Sequence, residues 1–161
     1  MQQMCLSELI RDARVASGVI SLGYEASAAV DADGHLRVWG ELGSSPWDAA
    51  EPTEPIFSYN TPTIVQTALV EQVSVGMGHI LALTHTGEVL SFGKGRRGQL
   101  GHGNKERQLV PKVIEALRDT RVVAVAAGYI HSMVLTDEGE VLSFGHGGGG
   151  RLGHGEGQNH S

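Results

Sequence analysis

Short runs of alternating apolar and polar residues recur along the chain. From Val73 the sequence reads VSVGMGHILALTHTGEVLSFG, and from Val125 it reads VAAGYIHSMVLTDEGEVLSFG. In the first run Ile80, Ala82 and Thr84 alternate with Leu81 and Leu83, the two-residue period of a strand. The pattern predicts four strands per unit, at 73–75, 79–85, 88–92 and 110–114 in the clearer copy. Thr86-Gly87 marks a hairpin turn, because glycine takes a positive φ at low cost. A glycine-rich loop over 93–103 joins the third strand to the fourth. Helical periodicity is confined to the first 16 residues, where Leu6, Leu9 and Ile10 line one face of a short predicted helix.

The two runs are copies at an offset of 52 residues. Gly76 matches Gly128 and His79 matches His131. Gly87 through Gly93 matches Gly139 through Gly145 residue for residue, and Leu100-Gly101-His102-Gly103 matches Leu152-Gly153-His154-Gly155. A weaker copy lies 53 residues upstream, with Gly23 for Gly76, Gly34 for Gly87 and Val38-Trp39-Gly40 for Ser91-Phe92-Gly93. It has Ala26 in the histidine's place. The chain thus divides into an N-terminal segment at 1–18, a degenerate repeat at 19–72 with an acidic loop at 41–60, a second repeat at 73–122 and an incomplete third at 123–161. Four short antiparallel strands at this period describe a propeller blade. The expected fold is all-β, a partial β-propeller of about three blades.

Composition sharpens this in a few places. Glycine supplies 23 of the 161 residues, in keeping with many tight turns between short strands. The single cysteine, Cys5, rules out an intrachain disulfide and points to a reducing, intracellular compartment, cytoplasmic or nuclear. No apolar stretch is long enough to span a bilayer, so no membrane insertion is expected. The net charge of −6 argues against binding nucleic acid through bulk charge. Charge is nevertheless segregated. Between Val38 and Gly93 there is no Lys or Arg, whereas Lys94, Arg96, Arg97, Lys105, Arg107 and Lys112 crowd the next 19 residues beside one acid, Glu106.

The glycine and histidine spacing, followed by Gly-x-x-Gly-x-Leu-Gly-x-Gly and a proline, resembles the regulator of chromosome condensation repeat family. Residues 73–113 and 123–155 match that pattern closely, and 19–64 loosely. The resemblance implies seven-bladed propellers, so the expected ring is completed by sequence beyond this chain or by another chain. It also implies a non-catalytic platform that presents loops to a protein partner, within a larger protein or assembly. The alternative it carries is guanine-nucleotide exchange on a small Ran-like GTPase.

Residues 93–98 and 145–150 match the dinucleotide fingerprint Gly-x-Gly-x-x-Gly, yet neither leads into a helix-forming run, as pyrophosphate binding requires. His79, His102, His131 and His154 recur on separate blades, where they diverge instead of converging on one ion. His79 and His131 are expected to be buried and bonded to backbone; His102 and His154 are expected to be exposed. No nucleophile–base pair stands out, and Asp31/Asp33 and Asp137/Glu138 fall in turns. No enzyme activity, metal or cofactor is therefore expected. Gly76, His79, Gly87, Gly93, Gly128, His131, Gly139 and Gly145 are read as structural. Lys94, Arg96, Arg97, Lys105 and Arg107 are the expected partner-binding residues, since loops carry recognition and Arg grips carboxylate or phosphate bidentately.

Overall fold

The computed structural model describes residues 19–43 and 55–155, so the N-terminal helix expected within 1–18 lies outside the described residues. The described strands form three antiparallel sheets. The first is β1 (Ile20–Leu22), β2 (Ala26–Val30), β3 (Leu36–Leu42) and β4 (Phe57–Ile64), and the second is β5 (Val70–Val75), β6 (His79–Thr84), β7 (Val89–Gly93) and β8 (Gln108–Val113). The third comprises β9 (Val122–Ala127), β10 (His131–Thr136) and β11 (Val141–Gly145). Strands pair in sequence order within each sheet. Each sheet is a meander, as hairpin-linked alternating runs dictate.

Register repeats with the sequence. His79 faces Gly93 and Leu83 faces Val89 in the second sheet; His131 faces Gly145 and Leu135 faces Val141 in the third. The hairpin between β6 and β7 closes through Gly87, whose φ of +88° a side chain would strain. Its amide donates to the Thr84 carbonyl, while the Glu88 amide donates to Thr84 Oγ1 at 3.1 Å.

The acidic loop expected at 41–60 is shorter at both ends. β3 continues through Leu42 and β4 begins at Phe57, and these two residues pair directly. Both are buried, so removing their apolar surface from water extends the strands into a segment whose acidic composition reads as loop.

The sheets stack face to face with the first strands adjacent, β5 lying against β1 and β2, and β9 against β5 and β6. Two apolar layers fill the gaps. Ala28, Val30, Leu36 and Val38 meet Val73, Val75, Ile80 and Phe92 between the first and second sheets. Leu81, Leu83 and Val89 meet Val125, Val134 and Phe144 between the second and third. The middle sheet is therefore covered on both faces, and β6 and β7 are buried along their whole length. Polar side chains add register between sheets. Val75 N–H donates to Ser21 Oγ at 2.9 Å, Ala127 N–H to Ser74 Oγ at 2.9 Å, and Val125 N–H to Gln72 Oε1 at 2.9 Å.

Candidate functional site: the loop after the third strand

The repeated Gly-x-x-His pairs are packing devices. A Cβ on Gly76 would lie 2.4 Å from His79 Cε1 and 2.5 Å from the Gly128 carbonyl oxygen. Gly128 holds the same relation to His131, with 2.1 Å to Cε1. Glycine is required there for space, which lets each histidine ring fold back over its own turn. His79 is completely buried, and the partner of its Nε2 is a side chain, Ser132, where a backbone group was expected. Ser132 Oγ donates to the Gln99 carbonyl at 2.7 Å, which leaves its lone pairs for His79 Nε2–H at 2.9 Å. This relay joins the second sheet, its loop and the third sheet. Burial, then the charge of His131, push His79 down to about 4, with the His131 backbone opposing.

His131 is half-buried, not buried, and its Nδ1 has no hydrogen-bond partner. His102 is half-buried where exposure was expected, because it caps a second relay. Ser91 Oγ donates to the Leu100 carbonyl at 2.7 Å and accepts from His102 Nε2 at 3.0 Å. The third repeat copies this with Ser143, Leu152 and the exposed His154. These histidines stand on different loops and hold them shut. The tightest grouping of metal-type ligands among the described residues is Asp31, Asp33 and His35. Asp31 is already engaged there, accepting from the Asp33 and His35 amides and from Arg37 Nε at 2.8 Å, which makes it a turn device.

The β7–β8 loop is anchored along its length. Gly98 N–H donates to Gly95 O and Gly101 N–H to Gly98 O, giving two consecutive turns and no helix after the Gly-x-Gly-x-x-Gly segment. The second such segment ends in a single three-residue 3-10 turn of its own, Gly148–Gly150. Gln99 and Leu100 are buried, and Gln99 Oε1 accepts the Arg97 amide at 2.8 Å. Arg96, Arg97, Lys105 and Arg107 are exposed on this frame.

Lys94 is not. Only 5% of it is accessible, its stem lies over Gly78, and its Nζ is buried with no hydrogen-bond partner. It therefore leaves the set of residues able to meet a partner. A lone buried ammonium is costly, so Lys94→Met, which keeps the length and removes the charge, is expected to stabilise the fold by about 1 kcal/mol or more. A urea midpoint that falls in this variant would show instead that the ammonium is satisfied.

Three side-by-side antiparallel sheets with their first strands adjacent make a partial β-propeller. Two family models, both described as the regulator of chromosome condensation (RCC1) repeat, match residues 86–135 and 122–151. Over these residues the chain belongs to the RCC1 repeat family. It is 42% identical over 137 residues to the human E3 ubiquitin-protein ligase HERC2, covering 82% of this chain and 3% of that protein. Against mouse RCC1 domain-containing protein 1 it is 45% identical over 76 residues, covering 47% of this chain and 20% of the relative. The chain thus spans a small part of the curated relatives it matches. Human WBSCR16 superposes with a TM-score of 0.70 at 25% identity, over 88% of this chain and 37% of that one. Prp20p of Saccharomyces cerevisiae superposes at 0.63 and 23% identity, over 79% and 30%. The latter likeness is one of fold.

Proposed function

We propose that this segment is a non-catalytic platform that recognises a protein partner through the β7–β8 loop. One observation carries the reading: a glycine-rich loop pinned by buried Gln99 and Leu100 holds Arg96 and Arg97 outward on a tight turn. Preorganisation of this kind lowers the ordering cost of binding. The fold does not demand the charge, since the equivalent loop at 146–150 carries no Lys or Arg. The histidine–serine pairs, Ser91–His102 and His79–Ser132, are spent on the scaffold, each serine holding a loop carbonyl and each histidine bonding its serine.

Protein partners are the class supported by the relatives. The structure of Prp20p is described together with its binding to Gsp1p and histones, which makes a Ran-like GTPase and histones the first candidates to present. In a pull-down, Arg96→Ala/Arg97→Ala is expected to lose a partner that the unsubstituted chain retains. Retention at the original level would remove the loop from the interface.

A further inference from the structure

We propose that Arg97, His146 and Arg151 form a phosphate-binding clamp where the loops of the second and third sheets meet, occupied by a phosphorylated side chain of the protein partner. The proposal deepens the platform reading above and rests on it. Its residues come from two repeats. The turn bearing Arg97 is held by the hydrogen bond from the Arg97 backbone N–H to Gln99 Oε1, and the Gln99 carbonyl accepts from Ser132 Oγ of the third sheet. Gln99 Cα lies only 3.2 Å from the point where a Cβ of Gly145 would stand, so the turn bearing Arg97 rests beside His146.

His146 and Arg151 share a seat on Gly148. A Cβ on Gly148 would lie 2.4 Å from His146 Cε1, and Arg151 Nε donates to the Gly148 carbonyl at 2.5 Å. The His146 Nδ1 is buried without a hydrogen-bond partner. Burial first, then Arg151, Arg97 and His131, hold His146 below the ordinary histidine range. These neighbours of the ring are cations or become so on protonation, drawn from three loop or strand-end positions. In a chain of net charge −6 this is a local excess of positive charge. In the second repeat Lys94 occupies the station of His146 and is turned inward, so the clamp is particular to this junction.

Phosphate suits the arrangement better than a carboxylate. Each guanidinium offers two parallel donors, and two guanidinium groups balance the charge of about −1.5 to −2 on a phosphomonoester near neutral pH. A single carboxylate balances half of it. A bound dianion also reverses the sign of the field at His146, favouring the imidazolium that the arginines oppose.

The test follows the His146 ring by NMR through a pH titration of the 161-residue chain, with inorganic phosphate or with acetate at matched ionic strength. Phosphate is expected to raise the His146 midpoint and acetate to leave it in place. Arg97→Ala and Arg151→Ala, both at exposed positions, should each weaken phosphate about tenfold, the equivalent of one charge-assisted hydrogen bond. Arg118→Ala, at an exposed position outside this loop, should leave the response unchanged. An unmoved midpoint, an equal response to acetate, or full affinity in both arginine variants would overturn the clamp. Those outcomes alongside a pull-down that still depends on Arg96 and Arg97 would reject the clamp and keep the platform; an indifferent pull-down would reject the platform.

Discussion

Gly93→Ala is expected to destabilise the fold by about 3 kcal/mol or more, a large share of the roughly 5–15 kcal/mol that holds a domain folded. Two costs combine. The φ of +114° lies where a side chain is strained by about 1–3 kcal/mol. The new methyl would also stand 2.4 Å from the Gly78 carbonyl oxygen and 2.6 Å from His79 Cα, both backbone atoms that cannot swing aside. Moving them means opening the register at which His79 faces Gly93. Gly103→Ala provides the comparison: its φ is +72° but nothing lies within 4 Å of the new methyl, so only the conformational strain, about 1–2 kcal/mol, remains. Urea unfolding of the two variants should separate them clearly. Equal midpoints would mean that the strand end at Gly93 is looser than the geometry indicates.

The second large effect is a loss of stability in mild acid, centred on His79. Folding pushes this group down to about 4 from an ordinary value near 6.5. Below 6.5 the unfolded chain takes up a proton that the folded chain refuses, so stability rises with pH across the window from about 4 to 6.5 and is lost as pH falls through it. Because the ring is completely buried the full difference applies, and it amounts to about 3 kcal/mol. His102, His131 and His146 are lowered too, in each case chiefly by burial, and act in the same direction. His79→Leu isolates the buried ring. At pH 7 the variant should be less stable by about 2 kcal/mol, since Ser132 keeps the Gln99 carbonyl but loses the His79 donor, and the ring's packing over Gly76 is gone. Between pH 7 and 5 it should then lose less stability than the unsubstituted chain. Parallel pH profiles for the two proteins would show that His79 is not held neutral by the fold.

Much of this architecture was open to reading from residues alone. A 52-residue offset locates equivalent strands without any knowledge of contacts. Strand alternation is a local property, and β6 and β7 begin and end within a residue or so of the alternating runs. Turn glycines such as Gly87 were equally legible, because a hairpin between two such runs calls for a positive φ. The strand ends at Leu42 and Phe57 were not. Their pairing joins residues on opposite sides of a long acidic segment, and only cross-strand burial reveals it.

The site divides along the same line. Sequence showed that Lys94, Arg96 and Arg97 are close along the chain and that the charge is absent from the next repeat. Periodicity has no term for the direction a loop side chain takes, so it could not show that Lys94 turns in while its two neighbours turn out. Nor could it find that the turn bearing Arg97 packs beside the strand end leading to His146, because that meeting depends on the Gln99 backbone packing on Gly145 of another sheet.

Residue order alone carried the repeating unit, its strands and the chemistry stationed at each position of the unit. Stacking alone settled how the units meet: His79 with Ser132, Gly76 with the Gly128 carbonyl, Gln99 with Gly145. The physical reason is that strand and turn preferences are fixed within a few residues of chain, whereas burial and hydrogen-bond partners arise from surfaces about 50 residues apart that meet only when the sheets stack.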